Sequence, residues 1–201
     1  MNLRKIIFVA AAVIACTSFS ATAKARSLGV HPNGIGLRFW SGSIYGSEIN
    51  YQKAMGAANR FEIGFGWHSN EYWDDYYYPP ENRNVRAWTR DNGFGAFGAY
   101  QWHWNISRTA ARGGFNWYAG PGVGVGYWSR SVGRYYGNIV WDGHNGTWVN
   151  IDAGGQIGIE YDFNVLRAPI LVSIDTRPVI RLLDNGYVNV INLGLGVRYT
   201  F

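Results

Sequence analysis

Apolar and polar positions alternate with a period of two along most of the chain after residue 30. From Ile191 to Phe201 every second residue is large and apolar: Ile191, Leu193, Leu195, Val197, Tyr199 and Phe201. The intervening set is Asn192, Gly194, Gly196, Arg198 and Thr200. The stretch from Val149 to Phe163 repeats this, with Asp152, Glu160 and Asp162 on one side and no carboxylate on the other. Successive side chains of a strand point to opposite faces, so this is strand alternation with one apolar face. No segment after residue 30 has a convincing helical period. The pattern predicts eight strands, near residues 34–41, 45–54, 59–68, 88–105, 114–128, 147–163, 169–178 and 187–201. Segments 55–58, 106–112 and 164–168 are short or moderate connections at one end. Segments 69–87 and 129–146 read as long loops at the other, with 179–186 intermediate and 42–44 short. A strand of about 9–11 residues crosses a bilayer, and these lengths suit it. The predicted fold is all-β, an eight-stranded antiparallel up-and-down transmembrane β-barrel.

Alternation alone does not say which face is inside. A soluble lipocalin-type barrel is apolar within and polar without; a membrane barrel is the reverse. Here the polar faces combine glycine with mid-strand charge: Glu62 beside Gly64 and Gly66, Asp152 beside Gly154, Arg198 beside Gly196. Glycine weakens a strand, and a narrow lumen needs small residues to make room for a few large ones. The apolar faces carry Phe61, Trp67, Trp102, Trp104, Phe115, Trp117, Tyr127, Tyr161, Phe163 and Tyr199 toward strand ends, as aromatic girdles would. The membrane orientation follows, and a soluble lipocalin-like periplasmic barrel is the architectural rival. With that phase, the lumen receives Arg38, Glu48, Asn50, Glu62, His68, Gln101, His103, Asp152, Gln156, Glu160, Asp162, Asp175, Arg177 and Arg198. Buried charge requires partners. Arg38, Glu62, Glu160 and Arg198 fall at similar heights near the short-turn end, and with Asp152 and Asp175 they are the expected lumen charge network. Acids outnumber arginines in this set, so some carboxylates must meet water, neutral donors or a proton. Pro121, inside a strand, predicts a local irregularity.

The terminal stretch Gly196-Val197-Arg198-Tyr199-Thr200-Phe201 resembles the C-terminal strand of bacterial outer-membrane β-barrel proteins, and the chain as a whole resembles their small eight-stranded type. The segment Ala168-Pro169-Ile170 to Asp175-Thr176-Arg177-Pro178 is similar to a penultimate strand of those barrels. The resemblance implies that Tyr199 and Phe201 belong to a C-terminal assembly signal. It also implies the barrel-assembly machinery and periplasmic chaperones as partners, and outer-membrane lipid and lipopolysaccharide as surroundings. It implies no particular activity.

Residues 1–23 read as a cleavable signal peptide. Arg4 and Lys5 precede the apolar run Ile6–Ala15, which is too short to span a bilayer as a helix, and small residues follow to Ala21-Thr22-Ala23. Cleavage after Ala23 is favoured, with Ala25 the alternative. Residues 24–33 are then a short leader and 34–201 the barrel, exported to the outer membrane with both barrel ends on the periplasmic side. Removing residues 1–23 takes two of the 18 basic residues and none of the 13 acids, leaving +3. With arginines interleaved among acids and no basic run, nucleic acid is not an expected partner. The 27 glycines and the 17% aromatic content suit strands and turns. The mean hydropathy of −0.16 averages an apolar exterior with a polar lumen and polar loops.

No constellation of catalytic residues stands out. The four histidines, His31, His68, His103 and His144, lack metal-ligand spacing, and Cys16 lies within the signal segment. No cofactor, metal or catalytic residue is expected. Ser129, Ser131, Asp142 and His144 share one loop, which leaves a lipid A-modifying enzyme (acyltransfer at the loop end) as an alternative; a narrow pore is another. The segment Trp67–Pro80 is dense in aromatics and acids. Tyr72, Trp73, Tyr76, Tyr77 and Tyr78 form a candidate binding loop, because tyrosine and tryptophan among short polar residues make adaptable contact surfaces. The expected role is non-enzymatic: structural, or adhesive and surface-binding through long extracellular loops, for an unidentified ligand.

Overall fold

The computed structural model describes residues 32–41, 46–56, 58–78, 83–106, 114–136, 139–142, 146–183, 188–189 and 192–201. Eleven strands follow one another: β1 (Asn33–Trp40), β2 (Ser47–Ala54), β3 (Asn59–Tyr78), β4 (Arg83–Asn105), β5 (Phe115–Tyr136), β6 (Ile139–Asp142), β7 (Gly146–Asp162), β8 (Ile170–Thr176), β9 (Val179–Arg181), β10 (Val188–Asn189) and β11 (Leu193–Thr200). Every pairing between these strands is antiparallel. Eight of them close a ring, in the order β1, β2, β3, β4, β5, β7, β8, β11 and back to β1. The seam runs from Gly34 opposite Thr200 to Trp40 opposite Gly194. Asn33 and Phe201 extend it by exchanging two backbone bonds, at 3.1 and 3.0 Å. The first and last wall strands therefore begin and finish at the same, short-turn end.

The burial pattern is inverted relative to a water-soluble protein. Arg38, Glu48, Gln101, Asp152, Gln156 and Arg177 are fully buried, while Ile35, Leu37, Phe39, Phe65, Phe94, Val123, Ile159, Ile174, Leu195 and Tyr199 are exposed. Covering such a side chain is favourable by about 1.5–3 kcal/mol when it is complete, and a contiguous exposed apolar band of this extent is foreign to water-soluble monomers. The band requires an apolar surrounding, and a lipocalin-like soluble barrel is ruled out. Among the described residues no helix is long and apolar enough to cross a membrane; the strands do the crossing.

Two prolines interrupt the ladders. Between β4 and β5 the pairs Ala99–Gly122 and Trp102–Ala119 are in one register, but the two positions between them on each strand are unpaired. Pro121 has no N–H to donate there; it stays paired with Gly155 on the β7 side. Pro178 does the same between β8 and β9, which otherwise continue one register against β7. From the β9–β10 pairs to the β8–β11 pairs the register shifts by one residue. Asn192 fills the break by accepting from the Arg177 amide at 2.9 Å.

At the short-turn end β7 leads into a 3₁₀ turn (Phe163–Leu166). Asp162 caps it, accepting from the Asn164 amide at 2.9 Å and from its Nδ2 at 2.6 Å. Asn164 Nδ2 also donates to Thr200 Oγ1 at 2.9 Å, tying the turn to the last strand. The other end departs from expectation. Residues 69–78 and 83–87 are strand, not loop: β3 and β4 stay paired out to Tyr78 and Arg83. Within 129–146, β5 continues to Tyr136 and β6 pairs back on it. β2 last pairs β3 at Trp67. The eleven further residues of β3 add roughly 36 Å of strand at about 3.3 Å each. An arm built of β3, β4, β5 and β6 thus rises past the last described pairs of β1 with β2 and of β8 with β11.

Candidate functional site

The lumen is filled in tiers. In the central tier three carboxylates meet three guanidinium groups. Glu62 accepts from Arg38 (3.0 Å to Nη2), Arg198 (2.7 Å), Arg177 (3.1 Å) and Gln156 (3.2 Å). Glu48 accepts from Arg38 at 2.9 Å and from Arg177 at 3.0 Å. Asp175 pairs with Arg38 Nε at 3.1 Å and accepts from the Tyr118 hydroxyl at 2.5 Å. Arg198 is held further by Asn50 at 2.7 Å and Ser173 at 3.2 Å. On the arm side of this tier the Arg177 guanidinium lies between two rings, 4.5 Å from the Trp40 centroid and 4.3 Å from that of Phe97. Each of the eight wall strands thus contributes a side chain here. The mutual neutralisation lets the charges stay buried.

Glu160 does not join that tier. It lies on the short-turn side, accepting from Arg60 at 3.1 and 3.2 Å and facing His103 Nδ1 at 3.3 Å. Gln52, Gln101 and Asn116 complete this group, and the His103 ring stacks on Tyr118 at 5.0 Å. Asp152 lies on the arm side, 3.6 Å from Arg181 and 2.8 Å from Asn150. The expected single network is therefore three groups, because the tilt of the strands places residues of equal count at unequal heights. The excess of acid narrows to six carboxylates against five arginines, and Tyr118, Asn150 and Asn164 are neutral donors to Asp175, Asp152 and Asp162. Arg60 and Arg181 are buried in the lumen, and Asp162 is engaged by Asn164. Arg60 has the right parity at the start of β3. Arg181 lies past the predicted end of its strand. The buried rings of Trp40, Phe97, Tyr118 and Trp128 were equally unforeseen, since an aromatic on a mostly polar face gives little signal.

Tyr199 and Phe201 are exposed on the outer surface, their rings 6.2 Å apart. Of the candidate binding residues, Tyr72 and Trp73 are exposed on β3. The side chains of Tyr76, Tyr77 and Tyr78 lie outside the described residues, as do residues 1–31 with the expected signal segment. Register divides the arm into two faces. The outer face continues the membrane wall: Ser69 bonds Asn92 at 2.9 Å, Glu71 pairs with Arg90 at 2.6 Å, and Trp73 lies opposite Trp88 with Arg86 5.0 Å from its ring centroid. The inner face continues the lumen wall. There Arg130 binds Asp91 through two parallel bonds of 2.7 and 3.0 Å, which hold its pKa above the ordinary arginine value.

His103 is buried in the lumen, and His68 faces Trp128 at 5.7 Å between centroids; neither reaches the lipid face. Ser129 and Ser131 lie on β5, Asp142 on β6, and His144 is outside the described residues. Among the described residues no group of three or more His, Cys, Asp or Glu could hold a metal ion.

No protein-family model and no curated protein matches the chain. Solved structures similar to the chain include the following. The attachment invasion locus protein Ail of Yersinia pestis is 12% identical, with 84% of this chain and 96% of that one covered and a TM-score of 0.43. Neisserial surface protein A is 16% identical, with 84% and 94% covered and a TM-score of 0.32. The outer membrane channel DcaP of Acinetobacter baumannii is 10% identical, with 84% and 72% covered and a TM-score of 0.19. By its own ring of eight antiparallel strands, apolar outside and charged within, the chain has the fold of the small eight-stranded outer-membrane β-barrels.

Proposed function

We propose that the chain is a non-enzymatic integral outer-membrane barrel that binds partners outside the cell through its arm. The observation that carries this reading is the extension of β3, β4, β5 and β6 past the last described pairs of β1 with β2 and of β8 with β11, with exposed Tyr72 and Trp73 and ion pairs on both faces. A wall that only spans a membrane needs about 9–11 residues per strand, whereas β3, β4 and β5 have 20, 23 and 22. The lumen supports a structural role for the barrel itself: its cross-section is occupied by paired charge and aromatic rings. Lipopolysaccharide and lipid would surround the apolar band, and the barrel-assembly machinery with periplasmic chaperones would deliver the chain.

The test compares cells displaying the full chain with cells displaying a version in which residues 69–92 are replaced by a short turn, which joins the paired His68 and Gly93. Both should fractionate with the outer membrane and show heat-modifiable gel mobility. Attachment to glycan- or protein-coated surfaces should be lost with the arm. Equal attachment by both would reject the reading, and release of the full chain by osmotic shock would reject the membrane location.

A further inference from the structure

The inner face of the arm holds a notch whose chemistry is specific. Trp128 and Trp148 lie abreast on β5 and β7, and one step outward Asp91, Arg130 and Gly146 lie abreast on β4, β5 and β7. Trp128 is a fixed floor: it is buried, donates to Asn150 at 2.5 Å, and lies so close over Gly93 that a Cβ there would come within 2.4 Å of the ring. Arg130 is immobilised twice, by its parallel bonds to Asp91 and by the Trp148 ring, whose centroid is 5.7 Å from Cζ. Gly146 follows the same face as Trp148, and a Cβ built on it meets nothing within 4 Å. The space above Trp148 and beside Arg130 is thus open among the described residues. The Trp148 indole N–H is buried without a hydrogen-bond partner among them. Tyr72, 43% exposed on the same inner face of β3, lies close enough to Arg130 to act on its charge.

We propose that this notch binds one neutral hexopyranose unit of a glycan, which rests on the arm being a binding surface. A pyranose has an apolar C–H face that packs on an indole or phenol ring, and a rim of hydroxyls that pair with fixed planar groups. The notch offers both. The half-buried Trp148 and exposed Tyr72 supply the rings. The Asp91 carboxylate supplies acceptors, and the free edge of the Arg130 guanidinium supplies donors. Charge selects the class: Asp91 and Arg130 neutralise each other, so neither a sulfated nor a cationic ligand gains an unopposed partner.

The full chain, folded in a sugar-free amine-oxide micelle, is titrated with neutral tetrasaccharides of glucose, galactose, mannose and N-acetylglucosamine, with heparin as the anionic probe, reading tryptophan fluorescence and calorimetry. At least one neutral glycan should bind. Trp148→Ala and Asp91→Ala should each weaken it at least tenfold. Gly146→Phe, which fills the notch and removes no hydrogen-bond partner, should abolish it. Arg90→Gln, on the outer face, should leave it unchanged. Gel mobility checks that each variant is folded. Binding of heparin alone, binding of no neutral glycan, or binding indifferent to Gly146→Phe would overturn the proposal. Arm-dependent cell attachment without glycan binding would overturn this inference and leave the surface-binding role standing; loss of both would remove both.

Discussion

Arg198, on the last strand, donates to Glu62, on the third, at 2.7 Å across the lumen. The same carboxylate receives Arg38 and Arg177, so one acid holds together two strand-borne cations and a third from the break between β8 and β9. Replacing Glu62 with alanine leaves those cations short of a partner inside the barrel. Breaking a buried pair in this way destabilises by about 3–5 kcal/mol. Glu62→Ala should therefore lower the urea midpoint of the folded barrel markedly in unfolding followed by gel mobility. A shift under about 1 kcal/mol would mean that water reaches the tier and solvates the arginines.

The packing of Arg177 between Trp40 and Phe97 predicts a closed barrel. Purified protein in planar bilayers should give no stable conductance steps. The double variant Trp40→Ala with Arg177→Ala removes one ring of the sandwich and its cation, and should admit small ion currents. Large steady steps from the unmodified chain would contradict the filled lumen.

Deleting Phe201 removes the last antiparallel pair of the seam, the two bonds with Asn33. It also removes half of the proposed assembly signal. Pulse-chase labelling with outer-membrane fractionation should show slower conversion to the heat-modifiable form. The conservative Phe201→Tyr keeps both the backbone pair and an aromatic ring, and should convert at the normal rate.

Shortening the arm must respect its register. Glu71 lies opposite Arg90, so excising 71–90 with a two-residue turn closes a matched hairpin. Excising 70–84 would leave the outer part of β4 without its β3 partner. The first variant should still fold, by gel mobility, with β5 beyond Arg130 paired to β6 alone, while the second should aggregate.

Parity along the strands makes the barrel legible in the sequence. Arg38, Glu62, Asp175 and Arg198 are interior because each sits two residues from another interior residue along an alternating strand. Alternation fails where both faces meet the same medium. From Ser69 to Trp73 every residue is exposed, so the apolar–polar rhythm vanishes although the strand continues. That is why the arm read as loop. Depth was illegible for a different reason: assigning Glu160 to Arg60 rather than to Arg38 depends on strand stagger, which a single sequence does not carry.

The ion pairs of this protein fall into two populations that salt will treat differently. At about 0.1 M salt charges in water are screened over roughly 10 Å, and exposed pairs are worth about 0–1 kcal/mol even before that. Glu71–Arg90 and Asp91–Arg130 stand in that regime, with their arginines about half exposed. The Glu62 tier is sealed from solvent and mobile ions do not enter it. Rising ionic strength should therefore loosen the arm while the barrel beneath keeps its stiffness, making the part of the molecule that meets the outside world responsive to its salinity and the part that holds it in place indifferent to it.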